Sequence, residues 1–163
     1  MKKVSDIDWG RWKPTEKATL LFVIRAGRIL LIHKKRGLGA GKINGPGGRI
    51  EAGETPRHCA IREVQEELCI TATGVKRAGR LHFQFVDNFS IRGDVFTATG
   101  YKGTPTETAE AIPHWFPVNR LPFKRMWADD RVWMPLLLAG TPFEGWFIFD
   151  GDRMLDHVVK ART

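Results

Sequence analysis

The stretch that most constrains this chain is GGRIEAGETPRHCAIREVQEEL, Gly47 to Leu68, which joins a glycine pair to a strongly acidic helix. Thr55-Pro56 is a helix start, with Thr as N-cap and Pro at the first helical position. At 100° per residue, Ala60, Ile61, Val64 and Leu68 fall within one sector, an apolar stripe for a core. Glu63, Glu66 and Glu67 fall on the adjacent sector. Glutamates at i,i+3 and i,i+4 repel by a few tenths of a kcal/mol per pair, and near a helix C-terminus the dipole also disfavours them. A solvated charged face normally supplies Lys or Arg at i+4, and this one does not. Oxygen ligands alone on one face suit a hard divalent cation such as Mg²⁺.

That concentration of acid is set against a basic chain. The 163 residues carry 26 Lys+Arg and 18 Asp+Glu, a net charge of +8. The excess favours an anionic partner, either nucleic acid or a charged small molecule. The positive residues are scattered, so basicity alone does not make a nucleic-acid binder. The length is that of one domain, and no apolar run reaches the roughly 18–20 residues of a membrane helix. Residues 1–16 read as a polar arm without an apolar signal core, and 17–163 as the domain proper. Cys59 and Cys69 lie about 15 Å apart along the predicted helix, too far to bridge. Free thiols and no secretion signal point to the cytoplasm.

The pattern predicts strands at Thr19–Arg25 and Arg28–Lys34, turned at Ala26-Gly27, then a glycine-rich loop through GLGAGKINGPGGR. Further strands are expected at Arg80–Val86, Gly93–Tyr101 and His114–Pro117. A short helix in DDRVWMPLLLAG ends at Gly140, and a last hairpin turns at Asp150-Gly151-Asp152. Strands before, between and after two helices predict a mixed α/β sandwich.

Gly48, Glu54 and Arg62-Glu63-Val64-Gln65-Glu66-Glu67-Leu68-Cys69-Ile70 resemble the Nudix box, departing from it only at Cys69, where the box has glycine. The resemblance implies an α/β/α sandwich with a mixed sheet that hydrolyses nucleoside diphosphates linked to another group. It implies Mg²⁺, with Mn²⁺ a possible substitute, held by Glu63, Glu66, Glu67 and the Gly47 carbonyl. Glu66 serves as a ligand or as base for the attacking water. Glu110 matches an acid that reaches the metal from outside the box, with Glu107 close by. Glu54 and Arg62 match a structural pair that braces the loop.

Outside the box, KKRGLGAGKINGPGGRIEAGE, HFQFV, KGTPTETAEAIPHWF and LPFKRMWADDRVWMPLLL resemble the branch that hydrolyses oxidised purine nucleoside triphosphates, such as 8-oxo-dGTP. That likeness assigns Trp127, Asp129, Asp130 and Asn44 to the base. It places Thr19, Lys34, Phe83 and Phe85 in the walls of the pocket, with Gly47 and Gly48 against the phosphates. Pro46 and Ile43 replace aromatic residues of that branch and are expected to border the pocket. The chemistry fits a purine, since an indole face stacks and two enclosed carboxyls can donate and accept at a base edge. Asp129-Asp130 ahead of an apolar helix also fits a plain N-cap. Alternative readings keep the box with another nucleoside polyphosphate, or make the chain a basic RNA-binding module on an inactive fold. A monomer without a stable nucleic-acid partner is expected.

Overall fold

The computed structural model describes residues 1–162. Eleven strands and two α-helices follow one another as β1 (Glu16–Arg25), β2 (Arg28–Lys34), β3 (Ile43–Asn44), β4 (Gly47–Arg49), α1 (Pro56–Leu68), β5 (Ile70–Thr73), β6 (Lys76–Phe85), β7 (Ser90–Ala98), β8 (Gly100–Gly103), β9 (Ala111–Pro117), α2 (Asp130–Leu138), β10 (Phe143–Asp150) and β11 (Arg153–Ala161). The large mixed sheet runs β11-β10-β6-β7-β1-β2-β3, with β4 on β1 and β9 on β2. β1 pairs in parallel with β7, and β10 with β6; the remaining partners are antiparallel.

The local signals behave as their chemistry requires. Ala26 and Gly27 take φ of 51° and 74°, so the two-residue turn closes Arg25 on Arg28. The Thr55 hydroxyl accepts from the His58 backbone N–H at 3.1 Å, capping α1. Ala60, Val64 and Leu68 are buried against Leu21, Val23, Leu30, Ile32 and Phe96 on one face of the sheet. On the other face, Trp133, Met134 and Leu137 of α2 pack with Phe22, Leu81, Phe143 and Phe147.

Two expectations needed long-range pairing to correct them. The strand expected over Gly93–Tyr101 is two, β7 and β8, because the chain leaves the large sheet and Gly100–Gly103 pairs with β5 in a separate ribbon. The glycine-rich stretch read as loop contains β3 and β4, held by β2 and β1. The arm is packed: Val4 is buried, Trp12 donates to the Gln84 amide at 2.8 Å, and Trp9 and Trp12 meet His82 edge-on. It covers part of the α1 face that α1 itself does not reach, since His82 and Gln84 alternate with the cleft-facing Phe83 and Phe85.

Cys69 caps α1 in the left-handed conformation, φ 62° and ψ 29°. A residue with a Cβ is strained there by about 1 kcal/mol. Cys69→Gly is therefore expected to leave stability unchanged or to raise it by up to about 1 kcal/mol. A clear fall in Tm would mean that the thiol itself supports the cap.

Candidate active site

Strand β4 lies so close to β1 that only glycine fits at Gly47, and a side chain at Gly48 would have to displace the Glu63 carboxyl. A Cβ on Gly47 would sit 1.9 Å from the Thr19 carbonyl oxygen, and one on Gly48 would sit 2.3 Å from the Glu63 carboxyl carbon. The Gly47 N–H donates to Glu67 at 3.1 Å. Glu67 is only 3% exposed, and burial pushes its carboxyl up to about 8, reinforced by the charges of Glu63 and Glu110 and opposed by the Gly47 N–H and Lys34. Burial also raises Glu63, though Arg62 opposes it.

Arg62 organises the remaining acids. Its guanidinium makes two bonds to Glu54, at 2.6 and 2.9 Å, and one to the Arg49 carbonyl at 3.2 Å. That pairing holds the Glu54 carboxyl down at about 2 and ties the loop to the helix. The same guanidinium reaches Glu63 at 2.9 Å and Glu66 at 3.2 Å. Arg62 thus holds Glu63 and Glu66 while the Gly47 N–H holds Glu67, and no three acidic, His or Cys side chains converge on one point among the described residues. The donor set nevertheless suits a hard cation: carboxylates share one helix face, Glu67 is buried without a cationic side chain bonded to it, and no thiol or imidazole intrudes.

Glu110 and Glu107 separate in the fold. Glu107 pairs with Lys35. The Glu110 side chain, 4.0 Å from Arg36, acts electrostatically on both Glu63 and Glu67. The Thr108 hydroxyl donates to the Glu67 carbonyl at 2.8 Å, fastening this segment to the end of α1. Cys59 lies beneath β4, its thiol 3.6 Å from the Gly48 carbonyl and 3.4 Å from the Thr19 hydroxyl, and burial pushes that thiol up to about 11. A thiol that rarely ionises is a poor nucleophile.

Glu67 opens into a cleft. Ala18, Thr19, Lys34, Asn44, Gly47 and Gly48 line it from the β1–β4 side, and Phe83, Phe85, Trp127, Asp129 and Asp130 from the other. Pro46 and Ile43 do not line it. The Pro46 carbonyl is taken by the Leu21 N–H at 2.9 Å, and Ile43 is fully buried in the core under α2. Leu38 and Phe149 contribute to the cleft without having been singled out. Phe149 comes from β10, a pairing that only the parallel β6–β10 register reveals. Leu38 had a visible signal, an apolar residue between Gly37 and Gly39, both at positive φ.

Trp127 stands edge-on to Phe85 and Phe149, with ring centroids 6.3 and 5.6 Å away, and the Lys42 ammonium lies 5.4 Å from its ring. Asp129 occupies the N-cap position of α2 but its side chain caps nothing. Instead it accepts from the Trp133 indole N–H at 2.8 Å. Asp129 and Asp130 are 3% and 8% exposed. Burial raises Asp129 to about 6 despite the indole N–H, while burial and the neighbouring Asp129 charge raise Asp130 well above the carboxylate range. Both carboxyls are thus pushed towards the protonated form, Asp130 the more strongly, and the two titrate as a pair.

Glycine ribbon, braced loop and acidic helix face are thus assembled together, and the NUDIX domain model matches residues 14–137. The chain belongs to the NUDIX family. It is 42% identical over 141 residues to the oxidized purine nucleoside triphosphate hydrolase of Danio rerio, covering 85% of this chain and 90% of that one. The protein of the same name from Mus musculus is 40% identical over 144 residues, covering 87% and 92%. Among solved structures, a MutT protein from Bacillus halodurans superposes with a TM-score of 0.79 at 23% identity, over 89% of this chain and 97% of that one, a likeness of fold. The chain is a NUDIX hydrolase acting on phosphoanhydride bonds, in a family that generally works with a divalent metal ion. No helix among the described residues is long and apolar enough to cross a membrane.

Proposed function

We propose that this enzyme is a Mg²⁺-dependent pyrophosphohydrolase of oxidised purine nucleoside triphosphates, converting 8-oxo-dGTP to 8-oxo-dGMP and pyrophosphate. The observation that carries the reading is the buried Asp129–Asp130 pair, which lines the same cleft as Trp127 and Glu67. The two animal relatives whose names state this activity resemble the chain over most of its length.

Glu63, Glu66, Glu67 and the Gly47 carbonyl would hold Mg²⁺, or Mn²⁺ in its place, with Glu110 contributing from outside the helix. When bound, the ion neutralises phosphate oxygens and lowers the pKa of water. The chain's own groups do the rest. Glu66, the most exposed of the helix acids, accepts the proton of the attacking water. Gly47 and Gly48 let the backbone approach the phosphates, and Lys34 adds a positive charge to the same cleft. Trp127 stacks on the base, Phe83 and Phe85 wall it, and Asn44 and Thr19 complete the polar lining. Asp130 donates to the purine edge while Asp129 accepts from it.

Turnover of 8-oxo-dGTP, dGTP, a dinucleoside polyphosphate and a nucleotide-sugar with Mg²⁺ tests this directly. The oxidised triphosphate is expected to show the highest kcat/KM. Faster turnover of the dinucleoside polyphosphate or the nucleotide-sugar would overturn the reading.

A further inference from the structure

On the opposite side of the sheet lies a second charged site that the cleft chemistry does not use. Gly93 lines the cleft, so strand alternation turns its neighbour Asp94 to the other face. Asp94 is 0% exposed, and three arginines converge on its single carboxylate. Arg77 bonds Oδ1, Arg80 bonds the same oxygen at 2.9 Å, and Arg92 lies 3.5 Å from Oδ2. A register shift in β6 between Arg77 and Gly79 lets Arg77 and Arg80, three residues apart, reach the same acid. A fourth arginine, Arg162, stands beside them and binds Glu144 at 2.6 Å. Arg77, Arg80, Glu144 and Arg162 line an open groove together with Pro142 and Phe143.

The charges in this cluster do not balance. Among the described residues four guanidiniums meet two carboxylates, an excess of two positive charges. A network that served only to hold the strands would be expected to carry matching acids, because a like-charged group left unpaired at close range costs stability. The donors do not balance either. Each guanidinium offers five N–H groups, whereas Arg77 and Arg80 share one oxygen. The buried Arg92 Nε has no acceptor among the described residues. Arg77, Arg80 and Arg162 keep 46%, 38% and 50% of their side-chain surface exposed, so their spare donors are accessible.

We propose that this groove is an anion site for a phosphate dianion, distinct from the catalytic cleft. A dianion cancels the excess charge, and forked guanidinium donors match phosphate oxygens in pairs. Arg77, Arg80 and Arg162 make the direct contacts; Arg92, held by Asp94, contributes charge from behind. The dianion is either free, as orthophosphate or pyrophosphate, or carried on a nucleotide.

The test uses the full chain in EDTA, with pyrophosphate added in the millimolar range against sodium chloride of equal ionic strength. Binding to the folded state should raise Tm by about 3 °C. The same rise is expected in Lys34→Gln, which alters the cleft, and should fall to a third or less in the double variant Arg77→Gln/Arg162→Gln. Arginine Nε–H resonances of the wild type provide a readout without any variant, and the Arg80 and Arg92 signals are expected to shift. Equal effects of orthophosphate and a nucleoside monophosphate would show that the site accepts a carried phosphate. Effects of the free anions alone would confine it to those. No Tm rise with unmoved arginine signals overturns the site. So does a rise fully retained in the double variant, or one lost only in Lys34→Gln.

Discussion

Glu67→Gln is expected to lower kcat by roughly three orders of magnitude, about 4 kcal/mol of transition-state stabilisation, while the protein stays folded. The side chain is 3% exposed and accepts from the Gly47 N–H at 3.1 Å. A glutamine amide oxygen can keep that bond, so the glycine ribbon has no reason to move. It cannot supply negative charge to a hard cation, for which a neutral amide is a poor ligand. Folding should respond in the opposite direction. Burying a carboxylate among other acids costs stability, and the isosteric amide removes that cost. Thermal unfolding in EDTA should therefore give the variant a Tm equal to or above that of the wild type. Near-normal turnover at saturating Mg²⁺ would remove Glu67 from the proposed metal ligands. A large drop in Tm would mean that its role is structural.

Sequence carried the active helix well because each of its instructions is local. Thr55 caps it, Pro56 starts it, one stripe buries it and Cys69 ends it in a conformation that glycine would occupy without strain. The Ala26-Gly27 turn and the final hairpin are local in the same sense. What escaped depends on partners distant in sequence. β8 pairs with β5, which also went unread as a strand, and the one local sign of the break in Gly93–Tyr101 is Gly100. Asp94 reads as one polar residue in a strand until the sheet brings Arg77, Arg80 and Arg92 to it. The arm reads as polar, and only the fold shows that Trp12 finds Gln84 across 72 residues. Pro46 and Ile43 are absent from the cleft lining while their neighbours Asn44, Gly45 and Gly47 belong to it, a distinction that the family pattern alone does not make. Asp129 and Asp130 lay between two readings, cap or pocket. The cap position is real, but the side-chain bond goes to Trp133 instead of to the helix backbone.

That pair supports the second large expectation. With Asp130 protonated and Asp129 ionised, the cleft presents one donor and one acceptor to a base edge. Asp129→Asn keeps an acceptor for the Trp133 indole but removes the negative charge. It also weakens the repulsion that helps raise Asp130, since the Asp129 charge is the second cause of that shift after burial. Both halves of the pattern change at once. The loss in kcat/KM for 8-oxo-dGTP should be about 2–4 kcal/mol, the scale of a mispaired buried polar group. A poor generic triphosphate should lose far less, because the acidic helix is untouched. Asp130→Asn keeps an N–H donor and should be milder. The pH dependence follows from the shifts. Asp129 must ionise, so preference for the oxidised base should rise as pH climbs through about 6. Asp130 must stay protonated, so preference should fall again once Asp130 ionises at higher pH. The ratio of kcat/KM for oxidised over normal triphosphate, followed with pH in wild type and both variants, separates this from any titration at the phosphates. If both substrates fall by one common factor, or the ratio is flat with pH, the aspartates do not read the base.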